Sequence, residues 1–352
     1  MGLTFEAGSA VTPLEVAGFL LCIWEESNMS TAVQFGLLAM YAEDMYDAAP
    51  GTLNPPADAR IAADGWKVVG YLTAQDALIP APGASNRKLG VDHGKRVFYG
   101  FVAQNLATPT VYVAAIRGTE GMIEWVIDAE FVPIPHPRYP TARVEQGFWS
   151  IYQTLSLADP ATGTTTFQNA AEGVEKLVGN GTIVVVGHSL GSALATFYVE
   201  DLAERLGPTT TAYLFASPRT GDAVWAGIFD RNVQHYDLFN YILDLVPHVP
   251  TGIGYTTLSR ATVLQPSTAQ AGVKLDLLCD HHIICYCAML DFAQTSAAPS
   301  TVQDATSKTC ILGPASTVPE TAKALAVLIN EFGIGTEKAV VLLKALHLAN
   351  AV

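Results

Sequence analysis

The chain carries little positive charge, and little charge of any kind. Nineteen Lys and Arg stand against 33 Asp and Glu in 352 residues, a formal net charge of −14. No stretch gathers Lys or Arg into a patch or arm, so nucleic acid is not an expected partner. No basic residue precedes Arg60. The start therefore lacks the positive n-region of a secretory signal, and the localisation is either intracellular or that of a mature form whose leader was removed. Long apolar runs are missing as well. Val16 to Trp24 is too short to cross a bilayer and follows Glu15, so no transmembrane span is expected and the chain reads as soluble. Glu6 stands where a myristoylation signal wants Ser or Thr. Cysteine is sparse, with five in the chain. Four of them (Cys279, Cys285, Cys287 and Cys310) fall late in the chain. That is no small-domain disulfide framework, and an odd thiol leans toward a reducing compartment.

What is abundant is apolar: half of the residues are hydrophobic and the mean hydropathy is positive. Such a chain can bury a large core and leave apolar surface available for a ligand or interface. The most informative segment lies within it. Ile183-Val184-Val185-Val186 reads as a strand buried on both faces. Ser192 to Arg205, rich in Ala and Leu, reads as a helix. Between them Gly187-His188-Ser189-Leu190-Gly191 must turn strand into helix within a few residues. A serine at such a turn is pushed outward, flanking glycines let strand and helix pass closely, and the helix start directs N–H groups at nearby negative charge. This is the pattern of a nucleophile elbow. An ordinary Gly-rich turn with a capping serine is the alternative.

Around it, periodicity predicts a helix over 30–48, a strand over Trp66 to Leu72 and a punctuated loop over Ile79 to Gly94. A hairpin of Val97 to Ala103 with Thr110 to Ile116 follows, then helices at about 144–157 and 168–178. After the elbow come strand Thr211 to Ala216, helix 222–230 and strand Tyr236 to Tyr241. The last 35 or so residues read as two helices. Strand and helix alternate, which predicts an α/β fold with a mostly parallel central sheet flanked by helices.

A nucleophilic serine needs a base, and the base needs an acid to fix its tautomer. Such groups collect in loops at the carboxyl ends of parallel strands. Asp244 follows the strand Tyr236 to Tyr241 and opens a Pro-broken segment. Asp237 lies inside the strand, and Asp222 reads as a helix N-cap. In the order Ser…Asp…His, the candidates for the base are His281 and His282, with His248 a wall of the cleft. Only one of the adjacent pair can point at Ser189.

Several ordered motifs now coincide: Ile116-Arg117-Gly118-Thr119, Trp125 with Asp128, Gly147-Phe148 and the elbow. Ser217-Pro218-Arg219-Thr220-Gly221-Asp222, Asp244-Leu245-Val246-Pro247 and the His281/Tyr286 spacing continue the series. Over about residues 97 to 290 the chain resembles the class 3 lipases, the fungal-lipase-like branch of the α/β-hydrolases. The resemblance implies an α/β-hydrolase fold with helical N- and C-terminal extensions, as one domain over 1–352 with a core at about 60–295. It implies a carboxylic ester hydrolase acting on acylglycerol or medium-chain esters, with phospholipase A1 or feruloyl-type esterase as alternatives on the same catalytic residues. It carries Ser189, Asp244 and His281 over as the triad, and Thr119 with the Leu190 N–H as the oxyanion donors. Thr119 can equally cap the following helix. His281 with Tyr286 matches the family's His-x4-Tyr, and Glu145 departs from a histidine usual before Gly-Phe. No cofactor and no metal is implied, and the partner is a lipid or small ester substrate, met at a transient lipid–water interface. A catalytically silent lipase-like interaction module is the reading from another class.

Cys279, His281, His282, Cys285 and Cys287 could suggest a metal site, but zinc spacing and a second ligand cluster are missing, and the segment reads as a buried helix with small apolar cysteines. In 120–132, Glu120, Glu124 and Asp128 would line one face of an amphipathic helix. That helix is read as a lid over an apolar cleft or as a fixed element.

Overall fold

β-Branched and aromatic runs set the strands, and their hydrogen bonds assemble one dominant sheet. The computed structural model describes residues 13–76, 94–119, 131–251, 254–297, 305–331 and 336–350. In chain order the strands are β1 (Trp66–Gln75), β2 (Arg96–Asn105), β3 (Val111–Ile116), β4 (Pro133–Pro135), β5 (Arg143–Glu145), β6 (Ser156–Ala158) and β7 (Thr165–Phe167). They continue with β8 (Thr182–His188), β9 (Thr210–Phe215), β10 (His235–Tyr241), β11 (Ala261–Leu264), β12 (Ala271–Val273) and β13 (Ile311–Pro314). Nine of them form the central sheet in the order β11-β10-β9-β8-β3-β2-β1-β6-β7, while β4 pairs with β5 and β12 with β13. From β11 to β3 the pairing is parallel, and the hairpin β2–β3 starts an antiparallel half. In the parallel half Ile116 pairs with Gly187, and His188 with Phe215. The carboxyl ends of β3, β8 and β9 therefore finish level, side by side. That shared rim is where ligand-binding loops of an open α/β sheet converge.

The helices are α1 (Pro13–Ala48), α2 (Ala59–Ala63), α3 (Gln146–Tyr152), α4 (Ala170–Val178), α5 (Leu190–Leu206), α6 (Ala223–Asn232), α7 (Leu277–His281), α8 (Ile283–Leu290), α9 (Phe292–Ala297), α10 (Ala305–Cys310), α11 (Glu320–Glu331) and α12 (Thr336–Asn350). α1 and α8 pack together on one side of β8, and α5, joined by α3, α4 and α6, packs on the other. Residues Leu190 to Leu202 of α5 are buried without interruption, as expected of a helix covered by sheet below and helices around it. No helix among the described residues is long and apolar enough to cross a membrane.

Several local readings change. The helix expected over 144–157 is β5, the short α3 and then β6, because Ser156–Ala158 pairs with Tyr71 to Thr73 of β1 and buries all three side chains. Pairing at a sheet edge outweighs weak helical periodicity. The N-terminal helical extension is α1, and it packs into the core: Ala32, Val33, Leu38, Met40 and Ala42 are buried in the main hydrophobic cluster. The expected helix through the late cysteines is broken at His282, whose backbone is extended at φ −69°, ψ 134°. Cys279 is not a free apolar thiol, since it forms a disulfide with Cys310, which removes the argument for a reducing compartment. Cys285 and Cys287 are buried and lie outside this disulfide. Residues 120–130 of the expected 120–132 helix, with Trp125 and Asp128, and nearly all of the loop Ile79 to Gly94 lie outside the described residues, while Phe131 and Val132 are not helical.

Candidate active site

The elbow is built from sterics. Ser189 holds φ 58° and ψ −127°, a conformation that costs a non-glycine residue free energy and persists only where the surroundings impose it. They do so closely. A Cβ on Gly191 would meet the carbonyl oxygens of Arg117 and Ile116 at 2.3 Å, and one on Gly187 would meet the Gly191 oxygen at 2.5 Å. The Ser189 N–H donates to Phe215 O at 3.0 Å on the neighbouring strand. Glycine is thus required on both sides of the serine so that β8, β3 and the start of α5 can touch.

Ser189 Oγ lies 2.8 Å from His281 Nε2, and His281 Nδ1 lies 2.8 Å from Asp244 Oδ2. Asp244 is fully buried and its carboxylate accepts three hydrogen bonds. Two reach Oδ2, from His281 and from the Tyr286 hydroxyl at 2.7 Å, and one reaches Oδ1 from the Val246 N–H at 2.9 Å. A carboxylate only accepts, so Nδ1 carries the proton and leaves the Nε2 lone pair facing the serine hydroxyl. Tyr286 also accepts from the Tyr241 N–H at 2.9 Å. Burial, with the Asp244 carboxylate beside it, pushes the Tyr286 hydroxyl well above its ordinary range and keeps it a donor.

The turn after β3 abuts the nucleophile. Arg117 is buried, its guanidinium stacks 3.5 Å from the Tyr46 ring centroid, and it donates to Phe98 O and Gly118 O at 2.8 and 2.7 Å. A Cβ on Gly118 would touch Ser189 Cβ at 3.0 Å. Thr119, half-buried, is the next residue, and Leu190 is the first residue of α5 and buried. The structure thus brings Ser189, Asp244 and His281 into one chain of hydrogen bonds, with Thr119 and Leu190 in the adjoining turns. Ser189 itself is 0% exposed. The expectation that the turn presents its hydroxyl outward therefore fails: the elbow faces into the fold, with His281 and the Gly118 turn packed against it.

The other candidates have local duties. The His282 side chain caps α8 by accepting from the Ile284 N–H, and Asp222 caps α6 by accepting from the Trp225 N–H at 2.8 Å. His248 faces the Ile242 carbonyl at 3.1 Å, and burial lowers its pKa. Glu145, where the resemblance expects histidine, caps α3 by accepting from the Phe148 N–H at 2.8 Å, and burial raises its pKa. Among the described residues no group of three or more His, Cys, Asp or Glu is arranged to hold a metal ion. The roles of Tyr286 and Arg117, and the contact of Glu43 with His188, escape sequence reasoning. The spacing of His281 and Tyr286 was the one available signal for the tyrosine.

An elbow serine after a central parallel strand, with the acid in the loop after β10 and the base later in the chain at the end of α7, defines the α/β-hydrolase class of fold and site. Residues 113–253 match the family described as lipase (class 3), so this stretch of the chain is similar to that family. A secreted mono- and diacylglycerol lipase A of Penicillium cyclopium is 30% identical over 164 residues, 46% of this chain and 50% of that one. A phospholipase A1-II 3 of Oryza sativa subsp. indica is 30% identical over 198 residues, 47% of each chain. A solved Rhizomucor miehei lipase propeptide complex aligns at 21% identity with a TM-score of 0.47, covering 68% of each chain. The chain spans about half the length of the curated relatives it matches.

Proposed function

We propose that this chain is a serine carboxylic ester hydrolase acting on lipid esters, with Ser189 as nucleophile, His281 as general base and acid, and Asp244 as the group that orients the imidazole. The observation that supports this reading best is the hydrogen-bond relay on a strained elbow, Ser189 Oγ to His281 Nε2 at 2.8 Å and His281 Nδ1 to Asp244 at 2.8 Å. As Oγ attacks the ester carbonyl, its proton passes to Nε2, and the carbonyl π pair moves onto oxygen. Thr119 and the Leu190 N–H receive that oxyanion. Collapse expels the alcohol, which takes the proton from Nε2 and leaves an acyl-serine. Water, deprotonated by the same nitrogen, then releases the acid and restores the serine.

The substrate class rests on the relatives, a mono- and diacylglycerol lipase and a phospholipase A1, and on the apolar composition of the chain. Acylglycerol or medium-chain esters are the first reading, and a phospholipid cleaved at its sn-1 ester is the second. The test is turnover of p-nitrophenyl esters over a chain-length series, with phosphatidylcholine in parallel. The wild type should hydrolyse butyrate to decanoate esters, and folded Ser189→Ala should lose at least about 10⁴-fold in kcat/KM. Near-normal turnover by Ser189→Ala, or no turnover by the wild type as expected of a silent binding module, overturns the reading. Rates confined to acetyl and feruloyl esters overturn the lipid assignment alone.

A further inference from the structure

Beneath the relay lies a second buried pair that the mechanism above does not use. Glu43, on the face of α1 toward the sheet, places Oε1 2.6 Å from His188 Nδ1, and the same oxygen accepts from the Gly118 N–H at 3.0 Å. On the other side of the ring, His188 Nε2 lies 2.7 Å from the backbone carbonyl oxygen of His281. The His188 side chain is 5% exposed and that of Glu43 18%. The junction is closed around them: a Cβ on Gly118 would fall 2.9 Å from Glu43 Oε1 and 3.0 Å from His188 Nδ1.

The partners fix the charge of His188. A carboxylate and a carbonyl oxygen can only accept, so both ring nitrogens must donate, and only imidazolium has two N–H groups. A neutral ring would set a lone pair against an oxygen at 2.6 or 2.7 Å. Burial opposes both charges, and each offsets that for the other: His188 holds the Glu43 carboxyl down to about 2, and Glu43 raises His188 above its ordinary value. The other ionisable groups around the pair include His281, whose ring centroid lies 4.8 Å from that of His188, with His282, Cys287, Asp244 and the Tyr286 ring at 6.4 Å.

The three groups held by this pair adjoin the three reacting parts. Gly118 precedes Thr119, His188 precedes Ser189, and the third is the carbonyl of the residue that bears the base. The geometry points to Glu43 and the His188 imidazolium as positioning residues that lock the oxyanion turn, the nucleophile and the base residue into one register. This inference rests on the ester-hydrolase reading for its effect on rate, but not for the charge of His188. Displacements of about 1 Å at such groups cost on the order of 10²-fold in rate.

Two measurements test it. In ¹⁵N NMR of the wild type at pH 7.5, both His188 nitrogens should show imidazolium shifts, and one pyridine-like nitrogen there overturns the inference whatever the enzyme hydrolyses. The second is p-nitrophenyl butyrate hydrolysis by Glu43→Gln and Glu43→Asp from pH 5 to 9, per folded enzyme. Glu43→Gln should lower kcat about 10- to 100-fold with KM within about twofold. Its kcat should also decline toward alkaline pH, because burial without the Glu43 carboxylate lets His188 lose its proton, where the wild type does not decline. Glu43→Asp should restore the wild-type alkaline limb. A Glu43→Gln enzyme with wild-type kcat and pH profile, even if less stable, overturns the positioning role. A wild type that hydrolyses no ester overturns the function proposed above and leaves the NMR result to decide the pair.

Discussion

His281 and His282 are adjacent in sequence, and a break between two helices parts their roles. His281 closes α7 and turns Nε2 to Ser189 at 2.8 Å, while His282 caps α8 through the Ile284 N–H. His281→Ala should reduce kcat by several orders of magnitude with the fold intact. His282→Ala should instead cost about 1 kcal/mol of stability, as for a lost cap, with kcat within about threefold of wild type. Steady-state kinetics beside thermal unfolding of both variants check the division, and equal losses would contradict it.

Tyr286 donates to Asp244 and accepts from Tyr241, both within a fully buried site. Removing its hydroxyl deletes a bond to a charged acceptor and strands a backbone N–H, a loss of about 2 kcal/mol. Tyr286→Phe should therefore lower the unfolding midpoint and reduce kcat roughly 10-fold through a less well held Asp244, with KM little changed. Calorimetry and kinetics on the same preparation check this, and a variant as stable and active as wild type would exclude the role.

Asp280 is 1% exposed and neither carboxyl oxygen has a hydrogen-bond partner of ordinary geometry among the described residues. Burial, with Asp244 and Asp276 near, pushes its carboxyl well above the ordinary range. The sign follows: below the unfolded pKa both states hold the proton, and as pH rises above it only the unfolded chain ionises, so stability falls. Asp280→Asn removes that penalty. It should raise the unfolding midpoint by a few degrees at pH 7 to 8 and change little at pH 4. An equal shift at both pH values would refute the titration.

The Cys279–Cys310 disulfide has a sequence separation of 31 residues, and its first cysteine lies in α7, two residues before His281. A crosslink over such a span contributes about 4 kcal/mol in the chain-entropy account, chiefly by restricting the unfolded chain. Reduction, or the Cys279→Ser/Cys310→Ser double variant, should lower the unfolding midpoint and make ester hydrolysis fall at lower temperature. Unchanged melting under verified reduction would show that the bridge is dispensable.

Short-range chemistry made much of this protein legible in its sequence. The β-branched run, the two glycines and the Ala/Leu helix specify a strand, a turn too tight for other residues and a helix, because each depends on neighbours a few positions away. Where loops sit on a parallel sheet pointed to Asp244, and the Ser…Asp…His order known for the elbow motif pointed to the histidine pair. Local reading failed where a distant partner outweighed it: Ser156–Ala158 is strand because β1 lies beside it. The His-x4-Tyr resemblance pointed to His281, but the physical reason that it and not His282 faces Ser189, a backbone break at His282, exists only in the tertiary structure because periodicity does not reveal it. The tertiary structure alone brought Glu43 to His188 across 145 residues of sequence. A buried ion pair of that kind is chosen by packing, through the desolvation each charge suffers and the acceptors it then must meet, and no spacing in the chain records it.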